Sequence, residues 1–200
     1  MLAVEKKKKY TVADYMLLEE GAPFQLIDYD LIMSPAPTPL HQAIVARLSH
    51  LILAFLEKEK KGGYAAGTVD VVFDEGNVLQ PDFLYITPER ENEIVKNRIE
   101  GAPDMAIEIL SPSNAYYDLR QKKDTYEKYG VREYVIIDPI VQTIELYALA
   151  DGKYYLHKKA QKPDQLDSLI LPGFSFDLEK IFRLFRHITS FSCIKTIHLS

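Results

Sequence analysis

Apolar residues recur along the chain in two periods, and the switch between them marks out the elements. Leu40, Ile44, Val45, Leu48, Leu51, Ile52, Phe55 and Leu56 return at helical spacing, which predicts a long amphipathic helix over 40–56. Gly62-Gly63 is its expected end. Upstream, residues 10–21 read as a short helix capped by Thr11 and stopped by Gly21 and Pro23. Residues 24–33 read as two short strands around Asp28-Tyr29-Asp30. Ser34-Pro35-Ala36-Pro37-Thr38-Pro39 predicts a stiff loop, because proline lacks the donor that a strand or helix interior needs.

The centre of the chain changes period. Residues 69–73, 83–86 and 105–110 are strand candidates, rich in β-branched and apolar types, with a polar loop expected over 87–103. Residues 117–129 read as a helix closed by Gly130. Residues 134–137 form an apolar run suited to a buried central strand, stopped by Asp138-Pro139. Segments 143–149 and 153–157 flank Asp151-Gly152, a hairpin signal. A short helix is expected over 178–185. The pattern predicts an α/β or α+β sandwich, a mixed sheet flanked by helices with an N-terminal β-hairpin. Two hundred residues suit one domain over 1–186, with 187–200 as a C-terminal tail.

Composition narrows the classes. The chain is 47% hydrophobic and 26% charged, as in an ordinary globular protein. Cys193 is the single cysteine, so an intrachain disulfide and a cysteine-rich metal site are both excluded, and a reducing, cytoplasmic setting is expected. A net charge of −5 does not advertise nonspecific nucleic-acid binding, which rests on neutralising phosphates. The run Lys6 to Lys9 is read as a solvated arm, and no apolar stretch follows it as in a secretory signal. The helix over 40–56 contains Arg47 and His50 and is too polar and periodic for a membrane span.

Against this background a few polar residues stand out. Asp82 opens the strand in Pro81-Asp82-Phe83-Leu84-Tyr85-Ile86, and Glu108 lies inside the apolar run Met105 to Leu110. An acid embedded in an apolar strand is costly unless it is paired or binds a metal. Lys122 follows on the next helix. Two carboxylates at neighbouring strand ends can hold Mg²⁺ or Mn²⁺, which prefer hard oxygen ligands. Such an ion polarises a phosphoryl oxygen and activates water, and a nearby ammonium offsets transition-state charge. Taken singly, each residue has a plain structural reading: Asp82 a turn residue, Glu108 half of an ion pair, Lys122 a solvated helix lysine. His41 starts the long helix, either packing on the proline loop or standing near a scissile phosphate. Ser111 and Ser113 are candidate helix caps or phosphate contacts. Asp138 reads as a turn residue, and most of the 13 tyrosines as core or rim.

The order of these parts resembles the Uma family of restriction-endonuclease-like proteins, within the PD-(D/E)XK nuclease superfamily. The resemblance covers about residues 10–182. It rests on Leu26-Ile27-Asp28, Met33-Ser34-Pro35-Ala36-Pro37 with His41, Pro81-Asp82, Pro103-Asp104, Ile107-Glu108-Ile109-Leu110-Ser111-Pro112-Ser113, Asp118, Lys122, Tyr126, Gly130-Val131-Arg132-Glu133-Tyr134 and Ile137-Asp138-Pro139. It implies a restriction-endonuclease-like core, Mg²⁺ or Mn²⁺ held by Asp82 and Glu108, and hydrolysis of phosphodiester bonds in nucleic acid, DNA first. It also implies a homodimer, for which the hairpin near 135–155 is the expected interface. The superfamily lysine two residues after the second acid is replaced here by Leu110, and Lys122 matches the position on the following helix. Asp118, Lys122 and Tyr126 are spaced by four and share one helical face, from which Lys123 points away. Two departures bear on the site. Gln25 stands where the family commonly has glutamate, leaving it a supporting group beside His41, and Tyr29 stands where glycine is usual. The alternative expectation is a catalytically degenerate nuclease-fold protein that binds nucleic acid or a protein partner.

Overall fold

The computed structural model describes residues 8–111 and 117–183. Lys6 and Lys7, Ser113, the side chain of Asp118, residues 184–185 of the expected last helix and the expected 187–200 tail lie outside the described residues.

The chain opens with α1 (Val12–Tyr15), then the hairpin β1 (Phe24–Ile27) and β2 (Asp30–Met33), and the long α2 (Pro39–Lys58). Next come β3 (Tyr64–Ala66), β4 (Val71–Asp74), β5 (Asn77–Leu79), β6 (Phe83–Ile86), α3 (Pro88–Ile94), β7 (Ile99–Glu100) and β8 (Met105–Ile109). The rest is α4 (Tyr117–Tyr129), β9 (Glu133–Asp138), β10 (Thr143–Ala150), β11 (Lys153–Gln161), β12 (Gln165–Asp167), β13 (Ser175–Asp177) and α5 (Leu178–Ile181). The strands form a six-stranded mixed sheet in the order β11-β10-β9-β8-β6-β3, a five-stranded sheet β2-β1-β5-β4-β7, and the small pair β12-β13. This is the expected mixed sheet flanked by helices, with the N-terminal hairpin in place.

The period-two rule explains how the large sheet faces both ways. Met105, Ile107 and Ile109 of β8, Val135 and Ile137 of β9, and Phe83 and Tyr85 of β6 pack on Ile44, Leu48, Ile52 and Leu56 of α2. The alternate residues Ala106 and Tyr134 face Tyr126 of α4 and Leu79 and Ile27 of the second sheet. Glu108 shares the parity of Ala106, so it looks towards α4 and away from the α2 core. By length and mean hydropathy of 1.3, α2 passes the test for a membrane span. Ile44, Leu48, Ile52 and Leu56 of its apolar stripe are instead buried in the core against the sheet, as the helical spacing of that stripe predicted.

Several expectations need correction. The helix expected over 10–21 is one turn long. Thr11 and Asp14 close a capping box around it, and turns follow. Residues 87–103, expected as a polar loop, hold α3 and β7. Thr87 at the N-cap position, Pro88 at the first helical position, and Glu89 and Glu91 in the first turn favour that helix, and Ile94 anchors it in a satellite core. The helix α2 ends before the two glycines. Lys60 takes the left-handed conformation (φ 50°), and the Lys61 amide donates to the Leu56 carbonyl at 2.9 Å. Gly63 is required for another reason: a Cβ there would stand 2.4 Å from the Ile86 carbonyl oxygen.

Candidate active site

The β6–β8 ladder brings the two acids together. Phe83 pairs with Ile107 and Leu84 with Ala106, antiparallel. Carrying that register one step further sets Asp82 across from Glu108. The contact is direct on one side, since Asp82 Oδ2 accepts the backbone N–H of Ile109 at 2.7 Å. Oδ2 also lies 3.1 Å from His41 Nε2. His41 sits in the first turn of α2, where Thr38 caps the helix by accepting the His41 N–H at 3.2 Å. The proline loop before it therefore fixes where the imidazole stands. Burial disfavours a charged imidazole, but the hydrogen bond and charge of Asp82, with the charge of Glu108, outweigh it and raise the His41 pKa from its ordinary value.

Glu108 is 5% exposed. Lys122, also buried, donates to both of its oxygens, at 2.9 Å to Oε1 and 2.8 Å to Oε2. One turn along α4, the Tyr126 hydroxyl donates to Oε1 at 2.7 Å. The i, i+4 spacing on α4 thus delivers two donors to one carboxylate. Burial pushes the Glu108 pKa up, the Lys122 charge pulls it back, and the Asp82 charge adds to the rise. Burial also raises the pKa of Tyr126, so its hydroxyl stays a donor. Lys123, the neighbouring lysine, lies over the Tyr147 ring, 3.4 Å from its centroid.

Gln25 is 7% exposed and has both amide atoms engaged. Its oxygen accepts the Gln80 N–H at 2.9 Å, and its nitrogen donates to Ser34 Oγ at 2.7 Å. Gln80 is a junction: its side chain donates to Asp70 Oδ1 at 2.8 Å, and its carbonyl lies 3.4 Å from Lys122 Nζ. Gln25 therefore braces the Gln80-Pro81-Asp82 segment against the proline loop.

A cleft of about 470 Å³ gathers Gln25, His41, Asp82, Glu108 and Lys122 with Ser111. Its rim is apolar and stiff, formed by Pro23, Pro35, Ala36 and Pro37. All five sequence-predicted site residues thus line one space. Sequence reasoning missed Gln80 and the Ile109 N–H, and it named Tyr126 without a role. The four-residue step from Lys122 to Tyr126 was the available signal.

The donor set can be tested against a divalent ion. Among the described residues, no three His, Cys, Asp or Glu gather closely enough to hold one. Asp82 Oδ1 takes no hydrogen bond from the described residues, while Oδ2 is fixed by Ile109 and His41. A hard ion that keeps several waters and needs only one or two carboxylates, as Mg²⁺ does, fits this set. An ion demanding an all-protein cage does not.

The Uma2 family model, described as "Putative restriction endonuclease", matches residues 12–179. Among solved structures, "a putative nuclease belonging to DUF820" from Anabaena variabilis ATCC 29413 superposes with a TM-score of 0.72 at 24% identity, covering 86% of this chain and 97% of that one. At that identity the likeness shows a shared fold. No curated protein matches the chain.

Proposed function

The chain belongs to the Uma2 family, described as "Putative restriction endonuclease", and from that premise we propose that it is a Mg²⁺- or Mn²⁺-dependent endonuclease that hydrolyses phosphodiester bonds, with DNA as substrate. The observation that carries this reading is the meeting of Asp82 and Glu108 across neighbouring strands, with Lys122 on Glu108, in one cleft. Asp82 and Glu108 would hold the ion, which supplies Lewis acidity and a more acidic bound water.

The residues themselves do the remaining work. Asp82 is oriented by His41 and by the Ile109 N–H, as ion ligands are by their outer partners. His41 commits Nε2 to Asp82, and its Nδ1 is buried without a hydrogen-bond partner among the described residues, so its part is to hold the Asp82 carboxylate in place. Lys122 brings the positive charge that a phosphorane-like transition state needs. Gln25 steadies the segment that presents Asp82. The exposed proline rim gives the cleft a stiff apolar edge. Exposed Ile140 and Val141 at the β9–β10 turn, with Tyr155 and Leu156 on β11, support a homodimer as the assembly, and the single cysteine is consistent with a cytoplasmic setting. Light scattering on the purified chain tests the dimer.

Cleavage of supercoiled plasmid and of single-stranded DNA and RNA, with Mg²⁺ and with Mn²⁺, tests the enzyme. Cutting that is lost in Asp82→Ala and Glu108→Ala supports it. No cutting of any substrate, or equal cutting by Asp82→Ala, would sink it.

A second reading has its own support. Both Gln25 amide atoms are committed to protein partners, Leu110 supplies no charge, and the cleft's lysine is paired with Glu108. A catalytically degenerate protein that binds nucleic acid or a protein partner would show saturable binding with no turnover. Cleavage abolished by Glu108→Ala excludes it.

A further inference from the structure

Lys122 and an incoming ion compete for the Glu108 carboxylate. The Lys122 ammonium lies on both carboxylate oxygens at once, 2.9 and 2.8 Å away. Each carboxylate oxygen can accept twice: Oε1 is filled by Lys122 and Tyr126, while Oε2 takes Lys122 alone and keeps one acceptor site, beside which the ammonium repels an incoming cation. A buried carboxylate stripped of its cation is strongly destabilised unless another donor remains.

Tyr126 is placed to be that donor. Its hydroxyl reaches Oε1 only, at 2.7 Å, and leaves Oε2 to face other partners. Unlike the lysine, it has no freedom to leave. The ring is fully buried and held by Tyr134 at 5.2 Å and Phe73 at 5.9 Å between centroids. A flexible four-carbon stem and a locked aromatic ring thus hold the same carboxylate, and only one of them can move.

We infer that Tyr126 is a positioning residue for the ion site: it fixes the Glu108 carboxylate by Oε1 and keeps Oε2 presented while Lys122 withdraws towards the substrate. The inference rests on the reading of Glu108 as an ion ligand. It goes beyond that reading by dividing the labour on α4 between a mobile cation and a static hydroxyl.

The test is Mn²⁺ binding to the full-length protein, followed by calorimetry, with no substrate present. Tyr126→Phe keeps the ring and removes one oxygen. Tyr134→Phe is its control. It sits in the same aromatic cluster, and its hydroxyl is buried without a hydrogen-bond partner among the described residues. Tyr126→Phe is expected to weaken Mn²⁺ about tenfold, the scale of lost outer-partner contacts, with a thermal midpoint near that of the parent. Tyr134→Phe should bind as the parent does. In a Lys122→Met background the Tyr126→Phe loss should grow, because Tyr126 is then the remaining donor on Glu108. In a Glu108→Gln background it should vanish.

Parent-like Mn²⁺ affinity in Tyr126→Phe overturns the inference and leaves the nuclease reading intact. So does an equal loss in Tyr134→Phe, which would mark a general packing effect. A parent that binds no Mn²⁺ overturns the inference and the ion site together. Mn²⁺ binding weakened by Tyr126→Phe in a protein that cleaves nothing supports the inference and removes the nuclease reading.

Discussion

Asp104, just before β8, and Glu108, near its end, are buried carboxylates four residues apart, and their surroundings differ in kind. Asp104 is saturated. It accepts the Thr87 N–H at 2.7 Å and charged donors from Arg90 at 2.7 Å and Arg132 at 3.0 and 2.7 Å. Burial works against its charge, but these donors win and hold its pKa below the usual range. Glu108 has one cation and one hydroxyl, and burial dominates, so its pKa is raised. One end of the strand is built for stability. The other retains a charge in a place that opposes it, as sites poised for chemistry do. Asp104 lies outside the cleft, and Glu108 lines it.

The sharpest way to break this comparison is Lys122→Met. Cleavage should fall by about 10²- to 10³-fold, the scale of losing one electrostatic stabiliser of a transition state. Mn²⁺ affinity should hold or rise, because nothing then competes for Glu108. A parallel fall in Mn²⁺ affinity would mean that Lys122 supports the ion and not the reaction.

Asp104→Ala comes next. Removing the buried acceptor shared by the Thr87 N–H, Arg90 and Arg132 should destabilise the protein by about 1–3 kcal/mol in urea unfolding, while the folded fraction cleaves as the parent does. A change in turnover at full folding would erase the line drawn between the two ends of β8.

The paired change Glu108→Gln with Lys122→Met sharpens the contrast further. Removing both members of a buried ion pair is often neutral or stabilising, so stability should stay within about 1 kcal/mol of the parent or exceed it, with activity gone. That is the behaviour expected where function is maintained against stability.

Titration of stability with pH separates Asp104 from His41 of the cleft by sign. Asp104 has a lowered pKa, so its contribution is present above about 3.8 and is lost as pH falls through the lower folded value. His41 has a raised pKa, so its contribution is present below 6.5 and is lost as pH rises through the higher folded value. Asp104→Asn should flatten the acid limb of a stability–pH curve. His41→Asn should flatten the limb above 6.5, by about 1 kcal/mol, the worth of one hydrogen bond. The smallest effect is expected from Gln25→Glu. A glutamate can still accept the Gln80 N–H and can accept from Ser34, so it adds an acid without breaking the brace, and Mn²⁺ affinity should rise a few-fold, scored by calorimetry.

Much of the site was legible because burial makes acids conspicuous. Glu108 inside Met105 to Leu110 contradicts its strand context, and Asp82 stands between Pro81 and the apolar run of β6, in the bend that opens it; both signals are visible in one dimension. The hairpin and α2 were legible for a similar reason, since their periods are local. The aim of Tyr126 was not, because it depends on Phe73 and Tyr134, which approach from other elements. Gln25 reads in sequence as a weakened ligand. Only the approach of Gln80 and Ser34 exposes it as a brace. Strands β3, β5, β12 and β13 are three residues each, too short to show a period, and their pairing partners define them: β6 for β3, β4 and β1 for β5, and each other for β12 and β13. α3 was hidden by its polarity, although Thr87-Pro88 announced its start.

The turn of the N-terminal hairpin has a consequence for how this sequence can drift. Asp28 and Tyr29 both take left-handed conformations, at φ 49° and 67°, as a tight primed turn requires. A β-carbon added at Gly76 would stand 2.7 Å from the Tyr29 ring. The two positions are therefore epistatic. While residue 29 is tyrosine, Gly76 is confined to glycine unless the ring swings out. Once residue 29 becomes glycine, that constraint lifts and position 76 is free to diversify. The order of the two changes matters in any lineage, and a library mutated at both sites should recover non-glycine residues at 76 chiefly beside a small residue at 29.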